Sequence, residues 1–259
     1  MIEEILKYQA KDAELRKIEV ELANSEERKK TVSAKKFIEG SSENIDKLDS
    51  VFKEVEGVFC AGDFAECFKP ETGKEALEKL CSKHESIFAV LGNCDNEDFM
   101  EELDNQDVNV EKSLVFHEGL AFAGSGGGTK FTGKTEFERE EDECLSDFDI
   151  VLNSVEQTGD KSLWNSLILV SHNPPVAEKL DSFDGEHHAG SQKFTDFIKE
   201  NQPLAVVCGH IHEGTGIEKI GETVVINPGS LGEKGTYVWL NVEKSGDGWE
   251  VVSTEMCSL

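Results

Sequence analysis

Short apolar runs recur along the chain, and four of them end on a small residue followed at once by a polar one. Val58-Phe59-Cys60-Ala61 runs into Gly62-Asp63, and Phe88-Ala89-Val90-Leu91 runs into Gly92-Asn93. Leu167-Ile168-Leu169-Val170 leads to Ser171-His172, and Ala205-Val206-Val207-Cys208 leads to Gly209-His210-Ile211-His212. Runs of this length, bounded by Gly, Pro or Asp, predict buried strands. Helical periodicity lies between them: over 43–53, with Ile45, Leu48 and Phe52 on one face, over 73–82, and over 192–200. Residues 137–157 read as one long acidic helix. Residues 114–116 and 120–123 pair as a hairpin around His117-Glu118-Gly119, and 223–226, 237–242 and 249–253 read as strands. Alternating β and α first, antiparallel β later, predicts a layered α/β sandwich on mixed sheets.

Residues 1–36 follow a different rule. They contain no Gly or Pro, and Tyr8, Leu15 and Leu22 recur every seventh position with Ile5 and Ile18 flanking the same face. That spacing predicts an amphipathic helix of coiled-coil character, able to pack on its own domain, a second copy or another partner. The composition changes near 37–40, which divides the chain into a helical extension, 1–36, and a globular domain, 37–259.

The net charge of −27 is unevenly spread. Residues 1–36 carry nine Lys/Arg against eight Asp/Glu, so the acidity belongs to the globular part. Such a surface repels nucleic acid polymers, and a small phosphorylated molecule docking on cations is the better substrate. No stretch approaches the roughly 20 apolar residues of a membrane span, so a soluble cytoplasmic protein is expected. Seven cysteines, an odd number with no CxxC pair, predict reduced and mostly buried thiols rather than a disulfide framework.

The strand-end residues change the picture most. In open α/β sheets ligands bind where strands end. One carboxylate (Asp63), one amide (Asn93) and three imidazoles (His172, His210, His212) placed there by four strands would converge on one spot. A lone His after a strand is usually a hydrogen-bonded structural residue, but here that reading must hold at four separate positions. Mixed Asp, Asn and His donors suit a first-row divalent ion such as Mn²⁺, Fe²⁺, Co²⁺ or Zn²⁺, and the lack of cysteine ligands argues against structural zinc.

Gly62-Asp63, Gly92-Asn93-Cys94-Asp95, Ser171-His172-Asn173-Pro174-Pro175, Gly209-His210-Ile211-His212-Glu213 and Asn227-Pro228-Gly229 together resemble the ordered motifs of calcineurin-like metallophosphoesterases. The closer resemblance is to the Icc-related predicted phosphoesterases, which also show a Gly-rich turn followed by Phe (Gly124–Phe131 here) and a segment like Gly185–Ser191. The resemblance covers about residues 40–245. It implies a four-layer α/β/β/α sandwich and hydrolysis of small phosphoesters by a metal-bound hydroxide, with one or two ions per chain, Mn²⁺ foremost. It further implies that Asp63 bridges two ions, that Asn93, His172 and His210 complete the second site, and that His212 belongs to the first.

The chain departs from that pattern at its start. The family opens on Asp-x-His-Gly, and the spacing to Asp63 puts Phe37-Ile38-Glu39-Gly40 there. Phe37 cannot bind a metal, and Glu39 is the remaining candidate ligand. Residues 29–36 are too basic for a buried first strand, so the helical extension is expected to replace it. Cys94 stands where many members carry a proton-donating His. That favours phosphodiesters with good leaving groups, or recruitment of Asp95 or His188 as the acid. His187, His188 and Ser191, at a helix start, are candidate substrate binders, with a solvated loop as the plain alternative. Gly124–Gly128 reads as a lid or tight turn, the Glu138–Glu143 cluster as a solvated helix face, and His84 and His117 as surface residues. The alternative to an enzyme is a binding or scaffold protein on the same fold, with the N-terminal helix as its partner element.

Overall fold

A computed structural model describes residues 41–131, 133–246 and 248–259 of the chain. The predicted 1–36 helix, Phe37 and Glu39 lie outside the described residues.

Period-two alternation in the strands sorts the apolar side chains into three separate cores. In β1 (Val58–Cys60) and β2 (Ile87–Ala89), paired parallel, Val58, Cys60, Ile87 and Ala89 face one way. They meet the helical residues 41–47, α1 (Asp49–Phe52), α2 (Gly73–Cys81) and α3 (Met100–Asn105) through Ile45, Leu48, Phe52, Leu77, Leu80 and Leu103. Phe59, Phe88 and Val90 face the other way, into a middle core.

The larger sheet has six strands. β3 (Leu114–His117) and β4 (Leu120–Ser125) form the predicted hairpin. A two-strand parallel pair, β5 (Gly128–Thr129) and β6 (Glu138–Arg139), stands apart from it. Helices α4 (Glu141–Ser146) and α5 (Asp149–Thr158) lead to β7 (Leu167–Ser171), then α6 (Gln192–Asn201), β8 (Ala205–Cys208), β9 (Gly216–Ile220) and β10 (Thr223–Asn227). The order is β3-β4-β7-β8-β10-β9, parallel from β4 to β10 and antiparallel at both edges. Phe122, Ile168, Val170, Ala205 and Val207 face the middle core, where Phe88 stacks on Phe122 at 3.9 Å. Ala121, Ala123, Leu167, Leu169, Val206 and Cys208 face the opposite way, onto Phe148, Val151, Phe194 and Ile198 of the second helical layer. The three cores separate four layers, the α/β/β/α sandwich on mixed sheets. After α7 (Leu231–Lys234), the hairpin of β11 (Thr236–Ser245) and β12 (Gly248–Ser258) sends Leu240 and Val251 into the middle core.

Several local expectations are corrected. Residues 137–157 form β6, α4 and α5 rather than one helix. Glu140 is extended and caps α4 through a capping box with Glu143. Arg139 turns inward instead of to solvent, donating to Asp147 Oδ1 at 2.8 Å and to the Gly126 carbonyl at 3.0 Å. Glu138 accepts from the backbone N–H groups of Phe131 and Gly133, so it is no bare solvated face. Of the two readings of Gly124–Gly128, the tight turn holds, with Gly127 at φ 74°, and burial rules out the lid: a Cβ on Gly128 would lie 2.8 Å from Asn93 Cβ. His84 is half-buried with Nε2 3.1 Å from the Val55 carbonyl, and His117 packs edge-on against Phe88 at 5.7 Å. Cys67 and Cys94 form a disulfide, with Cα atoms 4.5 Å apart, against the expectation of reduced thiols throughout; Cys60, Cys81, Cys144, Cys208 and Cys257 are free. Among the described residues no helix is long and apolar enough to cross a membrane.

Candidate metal centre

The carboxyl ends of β1, β2, β7 and β8 deliver Asp63, Asn93, His172 and His210 to one place. His172 Nε2 lies 2.9 Å from Asn93 Oδ1, 3.2 Å from His210 Nδ1 and 3.6 Å from Asp63 Oδ1. His210 Nδ1 lies 2.8 Å from Asn93 Oδ1. Four donor atoms on metal bonds of about 2.0–2.2 Å would stand roughly 3–3.6 Å apart along the edges of an octahedron or tetrahedron. The observed spacings are of that size.

Local backbone makes the approach feasible. The Asp63 and Asn93 loops touch so closely that a Cβ on Gly92 would run into the Asp63 carboxylate, while Gly62 (φ 91°) turns the first loop toward the second. Asp63 and His210 themselves hold φ of 57° and 66°. Left-handed backbone is unfavourable for residues with a Cβ and persists where surrounding contacts impose it. The Cys94 N–H donates to Asp63 Oδ1 at 2.9 Å, tying the loops together.

The chemistry of the donors fits a cation. His172 Nδ1 lies 2.6 Å from the Ala61 carbonyl, which can only accept, so Nδ1 carries a proton and Nε2 is the ring atom turned to the cluster. Nε2 faces the Asn93 amide oxygen and the Asp63 carboxylate, two oxygen donors that suit a cation. Burial, then the neighbouring His172, pushes His210 down to about 4, so its imidazole is neutral and able to ligate near pH 7. Among the described residues no group of three or more His, Cys, Asp or Glu is by itself placed to hold a metal. The Asn93 amide is the donor around which the others gather.

The remaining candidates have partners of their own. His212 Nδ1 lies 3.0 Å from Glu233 Oε2, on a side chain one-third exposed. His187 is exposed and pairs with Asp184 at 2.6 Å, and His188 pairs with the buried Asp181 at 2.9 Å. Ser191 caps α6 by accepting from Phe194 N, and its hydroxyl donates to Glu141 Oε1 at 2.6 Å. Lys193 N also donates to Glu141, so the first turn of α6 already has its anion.

Two supporting residues went unread in these roles. Asp95 is 1% exposed and turns both oxygens to backbone N–H groups, those of Phe64 (3.3 Å), Ala65 (2.8 Å) and Gly92 (2.7 Å). Burial, then the charge of Asp63, pushes it up to about 7. It positions both ligand loops rather than facing a leaving group. Asn227, fully buried, donates to the Ile211 carbonyl at 2.9 Å and so supports the His210–His212 turn. Both sat inside quoted motifs, which was the available signal.

Comparison with known proteins identifies the family. Residues 71–246 match the family described as metallophosphoesterase, calcineurin superfamily. The chain is 35% identical over 162 residues to the uncharacterized protein MJ1162 of Methanocaldococcus jannaschii, covering 60% of this chain and 70% of that one. Among solved structures, TT1561 of Thermus thermophilus aligns over 85% of this chain and 94% of its own, with a TM-score of 0.58 and 17% identity, a likeness of fold. Family membership supports phosphoester hydrolysis in general and a divalent metal as the general cofactor. The chain belongs to the calcineurin-like metallophosphoesterase superfamily.

Proposed function

We propose that the protein hydrolyses small phosphoesters with the help of one or two divalent ions, Mn²⁺ foremost, and that it favours phosphodiesters. The observation that carries this reading is the gathering of side-chain donor atoms from Asp63, Asn93, His172 and His210 at spacings of 2.8–3.6 Å. A bound divalent ion would supply Lewis acidity to the phosphoryl oxygens and lower the pKa of a water. The chain's own part is to hold the ion. Asn93 and His172 bind it with the imidazole locked by the Ala61 carbonyl, His210 binds it as a neutral ring, and Asp63 supplies the negative charge.

The diester preference rests on two features. Cys94, standing where a proton-donating His is common, is bonded to Cys67 and offers the leaving oxygen no proton. A monoester carries up to two charges toward a chain of net charge −27, where a diester carries one. The hydrogen bond to Asp181 pushes the His188 imidazole up from its usual range, which favours its cationic form beside the substrate. His187 is its neighbour on the same loop. Ser191 is left out, since its hydroxyl and the helix start behind it are satisfied by Glu141.

The test compares bis-p-nitrophenyl phosphate with p-nitrophenyl phosphate at saturating Mn²⁺, with and without chelator. Faster diester turnover that chelator abolishes is expected. Faster monoester turnover would overturn the substrate preference, and turnover indifferent to chelator would overturn the mechanism. A second reading, a binding protein on this fold whose partner element is 1–36, draws on the His212–Glu233 contact, which turns a first-site candidate toward a surface carboxylate. Absence of both bound metal and turnover would favour it.

A further inference from the structure

The loops bearing Asp63 and Asn93 are held to each other in three ways. Asp95 takes backbone N–H groups from both, and the Cys94 N–H reaches Asp63. The third tie is covalent, between Cys67 and Cys94, 27 positions apart in sequence. Their Cα separation of 4.5 Å falls within the usual disulfide span of about 4.4–6.8 Å. The first two ties join the loops through hydrogen bonds that do not involve the sulfurs. Their access differs. Cys67 is exposed and Cys94 is 3% exposed, so a reagent in solution meets Cys67 first. Cys94 is also the immediate neighbour of Asn93, so whatever moves its backbone moves a metal donor.

We propose that Cys67 and Cys94 form a reversible dithiol–disulfide modification site, with low-molecular-weight thiols and disulfides as its reactants, whose state sets how firmly the metal centre holds its ion. The inference rests on the reading of Asp63 and Asn93 as ligands. In the oxidising direction the Cys67 thiolate attacks one sulfur of a small disulfide, forming a mixed disulfide and releasing one thiolate. The Cys94 thiolate then attacks Cys67 Sγ and expels the second small thiolate. The two cysteine protons go to solvent or to the departing thiolates, and the two electrons leave with them. Reduction reverses both steps, beginning with attack of a small thiolate on the bridge. The bonded state fixes the spacing of the two ligand loops, and the dithiol state leaves them to the hydrogen bonds alone.

The experiment equilibrates the full chain across glutathione redox buffers, traps free thiols by alkylation, and reads Cys67 and Cys94 by mass spectrometry. Mn²⁺ affinity is measured on the same samples. The oxidised chain should be lighter by two hydrogen atoms, with both cysteines protected together, and reduction should weaken Mn²⁺ binding about threefold or more, as loss of an outer support does. Cys67→Ser should show the reduced-state affinity in every buffer, while Cys257→Ser, at a free thiol far along the sequence, should titrate like the parent. The parent series alone judges the site if Cys67→Ser folds poorly. Cysteines that alkylate at every ratio overturn the site, and a bridge that forms without changing Mn²⁺ affinity overturns its effect on the metal. No Mn²⁺ binding in any buffer overturns the metallohydrolase reading along with that effect, while alkylation still decides the bridge.

Discussion

The two histidines of Gly209-His210-Ile211-His212 meet opposite surroundings. His210 stands at φ 66° among Asn93 and His172, its imidazole kept neutral by burial. His212, two residues on, begins a single 3-10 turn and meets an exposed carboxylate, Glu233. The same division runs through the whole centre. On one side three of the four donors are fixed by something behind them: the Ala61 carbonyl behind His172, the Cys94 N–H behind Asp63, the Gly128 backbone against Asn93. On the other side His212 is the sole described first-site candidate besides Asp63, and Glu39 lies outside the described residues. Asn227 holds the turn between the two imidazoles through the Ile211 carbonyl, and the two rings have different partners.

The sharpest way to break the comparison is to remove a donor from the well-supported side. Asn93→Ala or His172→Ala should lower metal-dependent turnover about 100-fold or more, with Mn²⁺ affinity falling alongside. Retention of both, in a folded variant, would mean the cluster is structural. A smaller effect, of opposite sign, is expected at the other side. Phe37→Asp together with Glu39→His restores the family pattern there and should raise turnover about tenfold, with a second equivalent of Mn²⁺ per chain. No gain with the fold intact would place the deficit in the strand that should carry those residues. Smaller still, His212→Ala should cost only about two- to fivefold, because its contact with Glu233 is exposed and of little energetic weight. A loss matching that of His172→Ala would show that His212 leaves Glu233 and ligates.

How much of this was legible in the sequence depended on how local each cause is. The strands were readable because burial on both faces leaves a continuous apolar run, and the donors were readable because they follow such runs directly. All four layers follow from that alternation, with Phe88 and Phe122 facing inward between the sheets while their neighbours face the helices. What failed depended on distant partners. Arg139 and Glu138 look like surface charge in an acidic stretch, and only the folded chain brings Asp147 and the Gly126 carbonyl to Arg139 and ends the helix there. Cys67 and Cys94 have no local spacing to mark them as a pair. Asp95 was weighed as an acid because it neighbours Asn93, but its hydrogen bonds run to backbone on another loop. The direction in which His212 points depends on Glu233, 21 positions away.

The smallest predicted effect concerns a carboxyl group behind the well-supported side. Glu111 is 3% exposed. Its Oε2 accepts from the Leu91 N–H at 3.3 Å, at the base of the Asn93 loop, and Oε1 is buried without a hydrogen-bond partner. Burial, then the charge of Asp147, pushes its pKa up to about 7, while the Leu91 N–H, Arg139 and Lys112 pull the other way. A carboxyl raised in the folded state favours its protonated form there. The stability it contributes is complete below the ordinary Glu value and is lost as pH rises through about 7. Metal-free protein should therefore lose about 1 kcal/mol from this group between about pH 6 and pH 8, since one pKa unit corresponds to about 1.4 kcal/mol. Asp95, also raised to about 7, adds a loss of the same sign. Glu111→Gln keeps an acceptor for Leu91 and cannot ionise, so its melting temperature should fall less steeply across that window than the parent's. The residual slope combines Asp95 with the shifted imidazoles of His188 and His210. Thermal melts in chelator at a series of pH values measure the difference, and parallel curves for parent and variant would mean that Glu111 is already ionised in the folded chain, held by Arg139 at 3.8 Å.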